Sequence, residues 1–265
     1  MVDAFRRRAS FYSECVRDLV PDPTASVLVI AGREADAGVL AELGFSDVVI
    51  SNIETTLRPD QFAPFRWSHQ DAHALAYEDG AFDYVLVHDG LHHCSSPHRA
   101  LLEMYRVARR GLLVVESRDS LVMRLLVRLR LTADYETSVV QSADGAGGGV
   151  DNTDIPNFVF RWTEKQVRQA INAYAPHATH RIEFRYGWSP PCTPPIEQRN
   201  QLKRLLTLIA LPLYRIFVMA FPRQQNHFAF FVAKPSLPED LHPWLEMRGE
   251  RIAFNREWGR RVYGS

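Results

Sequence analysis

The stretch Trp67-Ser-His-Gln-Asp71-Ala-His-Ala-Leu-Ala-Tyr-Glu-Asp-Gly-Ala-Phe-Asp83-Tyr-Val-Leu-Val-His88-Asp89-Gly-Leu-His92-His93 decides how this chain folds. Its first half is polar and turn-rich, with Asp71 ahead of small residues and Gly80 inside an acidic turn. Its second half, Phe82 to His88, is a short apolar run bounded by polar residues, the pattern of a strand buried on both faces. The run leads into His88, Asp89, His92 and His93. Polar groups gathered where a buried strand stops predict a ligand site there, because parallel sheets bind ligands beyond the carboxyl ends of their strands.

The same rhythm continues outward on both sides. Residues 3–20 carry apolar positions at helical spacing and stop before Pro21 and Pro23, which predicts a helix. Val27 to Ala31 reads as a buried strand, residues 34–43 as a helix closed by Gly44, and Val48 to Ile53 as a second strand. Downstream, Pro97 to Arg109 places Ala100, Leu101, Met104, Tyr105 and Ala108 on one helical stripe, and Leu112 to Val115 is a further strand ending at Glu116. Strands alternating with helices predict an α/β, Rossmann-like doubly wound sheet that is mostly parallel. Beyond Glu116 the pattern loosens. A basic helix is expected over 119–131 and a flexible loop over 142–154, with Gly145, Gly147, Gly148 and Gly149. A helix capped by Thr163 should run to Tyr174, and Arg181 to Tyr186 and His227 to Ala233 read as the last strands. Between these strands, residues 188–225 form an insertion within a single domain of residues 1–265. It opens with Trp188-Ser-Pro-Pro-Cys-Thr-Pro-Pro and continues into the apolar segment Leu205 to Phe221. The tail, with Trp244 and Trp258, is expected to pack on the surface.

The totals exclude several classes. Basic and acidic residues balance at 31 each, which argues against a nucleic-acid partner and for a small or neutral substrate. Cys15, Cys94 and Cys192 lie far apart, so neither disulfides nor a zinc site is expected, and a cytoplasmic location is the default. The basic N-terminus lacks a following apolar run and does not read as a secretory signal.

The run Gln70-Asp71-Ala72-His73-Ala-Leu75, followed by Glu78-Asp79-Gly80-Ala81-Phe82-Asp83, resembles the cofactor half of class I S-adenosylmethionine-dependent methyltransferases of the small-molecule type. The resemblance covers residues 27 to 116 and implies S-adenosylmethionine as cofactor and an antiparallel final hairpin. It implies that Ala31 and Gly32, in the loop after the first strand, approach the methionine moiety. Only one true glycine stands where the family is glycine-rich. Asn52 or Glu54 would take the ribose hydroxyls, Asp71 with Ala72 the adenine, and His88 the region near the reactive methyl. A nicotinamide cofactor is the rival use of such a fold. The weak glycine loop and the close match around Asp71 both favour S-adenosylmethionine.

Methyl transfer to a hydroxyl needs a positioned nucleophile and a proton acceptor, and histidine suits the second task near neutral pH. His92 or His93 is the candidate base, His92 being the freer choice, and Asp89 could orient either imidazole or bind the acceptor. The alternative is that the histidines only cap the helix beginning near Pro97 or line the cofactor pocket. His88, Asp89 and His92 together could hold a divalent ion, but no metal is expected. Asn157, Arg161 and Trp162 are the candidates for holding a hydroxylated acceptor, a sugar or secondary metabolite. A non-catalytic scaffold built on the same fold is the contrasting possibility. The segment 205–221 is too short for a membrane span and contains Pro212 and Arg215. It is expected to roof the active site or to pair two subunits as a homodimer, with peripheral membrane association as the minor alternative.

Overall fold

The computed structural model describes residues 2–130, 132–144, 146–188 and 201–264. The first βαβ units follow the predicted order: α1 (Val2–Leu19), β1 (Val27–Ile30), α2 (Glu34–Glu42), β2 (Val48–Asn52), β3 (Arg66–His69), β4 (Phe82–His88), α3 (Pro97–Val107) and β5 (Ala108–Ser117). Then come α4 (Leu121–Arg128), α5 (Thr137–Ser142), α6 (Glu164–Tyr174), β6 (Ile182–Gly187), α7 (Gln201–Ala220) and β7 (His227–Ala233). A short hairpin of β8 (Leu245–Arg248) and β9 (Arg251–Phe254), with α8 (Arg256–Tyr263), forms the tail.

Seven strands make one sheet in the order β3-β2-β1-β4-β5-β7-β6. The first five are parallel, and β7 runs antiparallel to both β5 and β6. This is the doubly wound sheet with an antiparallel final hairpin that the alternation predicts. Successive side chains of a strand point to opposite faces, so β1 and β4 each feed two cores. Leu28, Ile30, Val85 and Val87 meet Leu101 and Met104 of α3 and Val167 and Ile171 of α6 on one face. Val27, Val29 and Leu86 meet Tyr12 and Val16 of α1 and Leu40 of α2 on the other. With both faces covered, the strands stop at a common edge where loops can carry polar groups.

The structure differs from the sequence reading in four places. β3 was not expected, because Arg66–His69 is a short polar edge strand without a buried face. β5 begins at Ala108, where the chain is already extended, rather than at Leu112. Arg109 and Arg110, which read as a last helical turn, instead bind Asp83 and Asp22. The basic helix is shorter than expected, at Leu121–Arg128. Between it and the loop expected from 142 the chain forms α5, where the sequence reading gave no element. The proline-rich opening of the insertion, residues 189–200, lies outside the described residues.

Candidate active site

The carboxyl ends of β1, β2 and β4 and the segment after β3 open into one cavity of about 380 Å³. Ala31, Asn52, Asp71, Ala72, His88 and Asp89 all line it. Tyr12 and Asp36 close it from α1 and α2, and Glu136, Gly148, Gly149, Asp151 and Asn152 close it from the far side. Four of these residues, Ala31, Asp89, Asp151 and Asn152, have φ between 49° and 60°, the left-handed region that non-glycine residues rarely occupy. Backbone strain of this kind persists only where surrounding structure imposes it, and it gathers at ligand sites.

The turn after β1 is packed rather than open. A Cβ on Gly32 would lie 2.6 Å from Cγ2 of Ile50, so this position has to be glycine for the loop to sit down on β2. Gly90 does the same for the β4 loop, since its Cβ would lie 2.7 Å from the Cβ of Ala31. Asn52 is buried, and its Nδ2 donates to the Gly32 carbonyl at 3.1 Å while its Oδ1 accepts from the Glu54 amide at 3.0 Å. Glu54 pairs with Arg33 at 2.7 Å and does not line the cavity. Asp71 accepts from the backbone and ring nitrogens of His73 at 2.9 and 2.8 Å. Burial opposes its ionisation, but these bonds outweigh it and hold the carboxyl below its ordinary range. His88 shares a proton with the buried carboxylate of Asp36 at 3.0 Å and stacks on Tyr12, ring centroids 4.5 Å apart.

The second half of the cavity holds an alternating set of imidazoles and carboxylates. Nδ1 of His92 lies 2.7 Å from Oε2 of Glu116, a wholly buried carboxylate at the end of β5 whose other oxygen accepts the Leu91 amide at 2.6 Å. Nε2 of His92 and Nε2 of His93 stand 3.5 and 3.4 Å from Oε2 of Glu136. Burial disfavours a charge on His92, yet Glu116 and then Glu136 overcome it, and its pKa stands well above the ordinary value. Burial and the neighbouring His92 cation push His93 the other way, below its ordinary value. Glu136 is held down to about 2, its burial outweighed by His92, His93 and Asn157. The ring nitrogens of His92 and His93 and the carboxylate of Glu136 lie within 4.8 Å of one another, as do ligand atoms of Asp89, His92 and Glu116. These are the groups that could hold a divalent ion. His92 belongs to both sets, and its ring already has Glu116 for a counter-charge.

The expected acceptor residues stand elsewhere. Asn157 is buried and donates to the His92 carbonyl and to Glu136 at 3.2 and 3.3 Å, behind the cavity wall. Arg161 binds Asp134 and the Ala133 carbonyl, and Trp162 is wholly buried in the core against Phe160 and Phe230. None of the three lines the cavity. No described residue of α7 lines it either. The residues that sequence reasoning missed are Tyr12, Asp36 and Glu136. Glu116 could have been singled out by the strand-end rule that selected His88. Glu136 carried no sequence signal, because a non-local fold brings it to His92.

Residues 31–115 match a family model described as a methyltransferase domain. Over these residues the chain is similar to class I S-adenosylmethionine-dependent methyltransferases. Among solved structures, magnesium protoporphyrin IX methyltransferase from Synechocystis PCC 6803, with bound SAH, aligns at TM-score 0.51 and 12% identity, covering 88% of this chain and 84% of the other. The YcgJ protein from Bacillus subtilis aligns at TM-score 0.51 and 10% identity, covering 87% and 99%. The 4+2 cyclase SpnF aligns at TM-score 0.51 and 15% identity, covering 85% and 81%. At such identities the likeness concerns the fold, and the range of names shows that the fold hosts more than one reaction. No curated protein sequence matches this chain. The residues present fit the cofactor. Tyr12 offers a buried hydroxyl with no hydrogen-bond partner among the described residues, and Asp71 offers an ionised acceptor at the opposite end of the strand row.

Proposed function

We propose that this methyltransferase methylates a hydroxyl group of a sugar or secondary metabolite, with His93 as the proton acceptor. S-adenosylmethionine, when bound, supplies a methyl group already activated on a sulfonium. Asp71 and Ala72 receive its adenine. Asn52 faces the ribose, because Glu54 is committed to Arg33 and turned from the cavity. Ala31, His88 and Tyr12 surround the methionine end. The protein's remaining task is to hold the acceptor in line and to take its proton.

The observation that carries this reading is the split between the two adjacent histidines. A general base must be unprotonated before it acts. His92, clamped by Glu116 and Glu136, is held in its charged form and serves as a positioning residue. His93 lines the cavity, is kept neutral by burial and by His92, and has Glu136 3.4 Å away to stabilise the charge it gains. The arrangement follows the logic of an acid that orients and steadies a catalytic imidazole. Replacing His93 with Ala should lower turnover by about 10²- to 10⁴-fold while cofactor affinity stays near wild type. Full turnover in that variant with hydroxylated acceptors would remove His93 from the chemistry.

A further inference from the structure

Two helices near the end of the sheet that carries the cavity leave apolar side chains in water. On α4 these are Leu121, Leu125 and Leu129, one per turn along a single stripe, while Met123 faces inward. On α7 they are Leu205, Ile209, Leu213 and Ile216, opposite Tyr214 and the buried Val218. The helices are tied to each other through one turn. The Gln224 carbonyl accepts from the hydroxyls of Ser120 and Tyr214, and its side chain accepts from the Val122 amide. That turn enters β7, whose first residue pairs with Ser117 at the carboxyl end of β5.

The charge of these segments is one-sided. Residues 120–131 contain Arg124, Arg128 and Arg130 with no acid, and residues 201–224 contain Lys203, Arg204, Arg215 and Arg223 with no acid. The chain as a whole is balanced at 31 of each sign, so this concentration is local. Arg124 is paired with Asp119 at 2.6 Å and Arg223 with Glu164 at 3.8 Å, both acids lying outside the segments.

We propose that α4 and α7 form a docking surface for an anionic lipid bilayer, lying in the plane of the interface. Apolar stripes bordered by Arg and Lys are the pattern of interfacial helices, which bury one face at the acyl boundary while their cations meet anionic headgroups. A span is ruled out for the described residues, since none of their helices is long and apolar enough to cross a membrane. A second copy of the chain is the poorer occupant. A two-fold contact sets the same patch against itself, and here that would set like charges of the two copies, Arg128 and Arg215 among them, against each other. The proposal stands apart from the methyl-transfer reading and holds or falls without it.

Co-sedimentation of the full chain with vesicles tests it. With phosphatidylcholine vesicles containing phosphatidylglycerol as a third of the lipid, binding is expected at low ionic strength, and it should weaken as salt screens the charges. Leu213→Glu with Ile216→Glu should reduce binding roughly tenfold or more, as charge enters the buried stripe. Arg128→Gln with Arg215→Gln should reduce binding to anionic vesicles several-fold and leave binding to pure phosphatidylcholine unchanged. Both variants alter exposed positions, and an unchanged circular dichroism spectrum and melting temperature show that they fold. The proposal is overturned if wild type ignores anionic vesicles at low salt, or if the apolar variant binds as well as wild type. It is equally overturned if light scattering shows a dimer that the apolar variant splits while vesicle binding is absent.

Discussion

His92 and His93 are neighbours in the chain and opposites in proton affinity. Their difference comes from which carboxylates reach each ring. Glu116 touches only His92, and Glu136 stands between the two. The sign of the pH dependence follows. A base with a depressed pKa is ready over a wider range, so turnover should rise with pH along an acid limb whose midpoint lies below His93's ordinary value of 6.5 and be flat at neutral pH. Glu136→Gln removes a charge that raises the His93 pKa, so that limb should move to still lower pH while turnover falls, because the imidazolium loses its support. A rate-versus-pH series on both proteins checks this, and a limb that stays fixed would detach Glu136 from His93. Stability has its own signature. The depressed pKa of Glu136 means its contribution is present above about 4.5 and is lost as pH falls toward 2, while the raised pKa of His92 means its contribution is complete near 6.5 and fades as pH climbs through the raised value. At this scale the sequence placed His88, Asp89, His92 and His93 at the strand end, and all four line the cavity. It could not say which histidine would be charged, because that depends on Glu136, far away along the chain.

Elements decide what the cavity can admit. The glycine-rich segment that reads as a flexible loop is in fact held shut by its own bonds. Gly149 donates to Thr153 at 2.9 Å, Val150 to Ile155 at 2.8 Å, and Oδ1 of Asp151 accepts the Ser95 amide at 2.9 Å, fastening the segment to the start of α3. A Cβ on Gly149 would stand 1.9 Å from the Ile155 carbonyl oxygen, a backbone atom that cannot move aside cheaply. Gly149→Ala should therefore displace this wall, raising the acceptor Michaelis constant more than it weakens the cofactor. Steady-state kinetics and calorimetry on one preparation separate the two. An unchanged Michaelis constant would place the acceptor elsewhere. Strands with strong apolar runs, such as β1 and β4, were legible in advance because burial on both faces leaves a plain signature. β3 was not, since an exposed edge strand of four mixed residues carries none. The early start of β5 was hidden by Arg109 and Arg110, whose charge resembles a helix end until Asp83 and Asp22 are seen opposite them.

Across the whole molecule, alternating strands and helices put the ends of β1, β2 and β4 at one edge of the sheet, which is why the fold and the cofactor could both be read from residues 27–116. The far wall of the cavity could not, because it comes from residues 148–152 and from Glu136, segments with no regular pattern. Binding linked to folding gives a global readout. Cofactor at a hundred times its dissociation constant should stabilise the native state by about 2.7 kcal/mol, seen as a raised melting temperature. The central claim is that the row of strand ends from Ala31 to His88 is an S-adenosylmethionine site with Asp71 on the adenine. Titration calorimetry with S-adenosylhomocysteine tests it most directly. One site per chain is expected, with affinity weakened by roughly 1–3 kcal/mol in Asp71→Ala through loss of a hydrogen bond to a charged acceptor. A folded wild type that gives no binding heat, or an Asp71→Ala variant that binds as tightly as wild type, would contradict it.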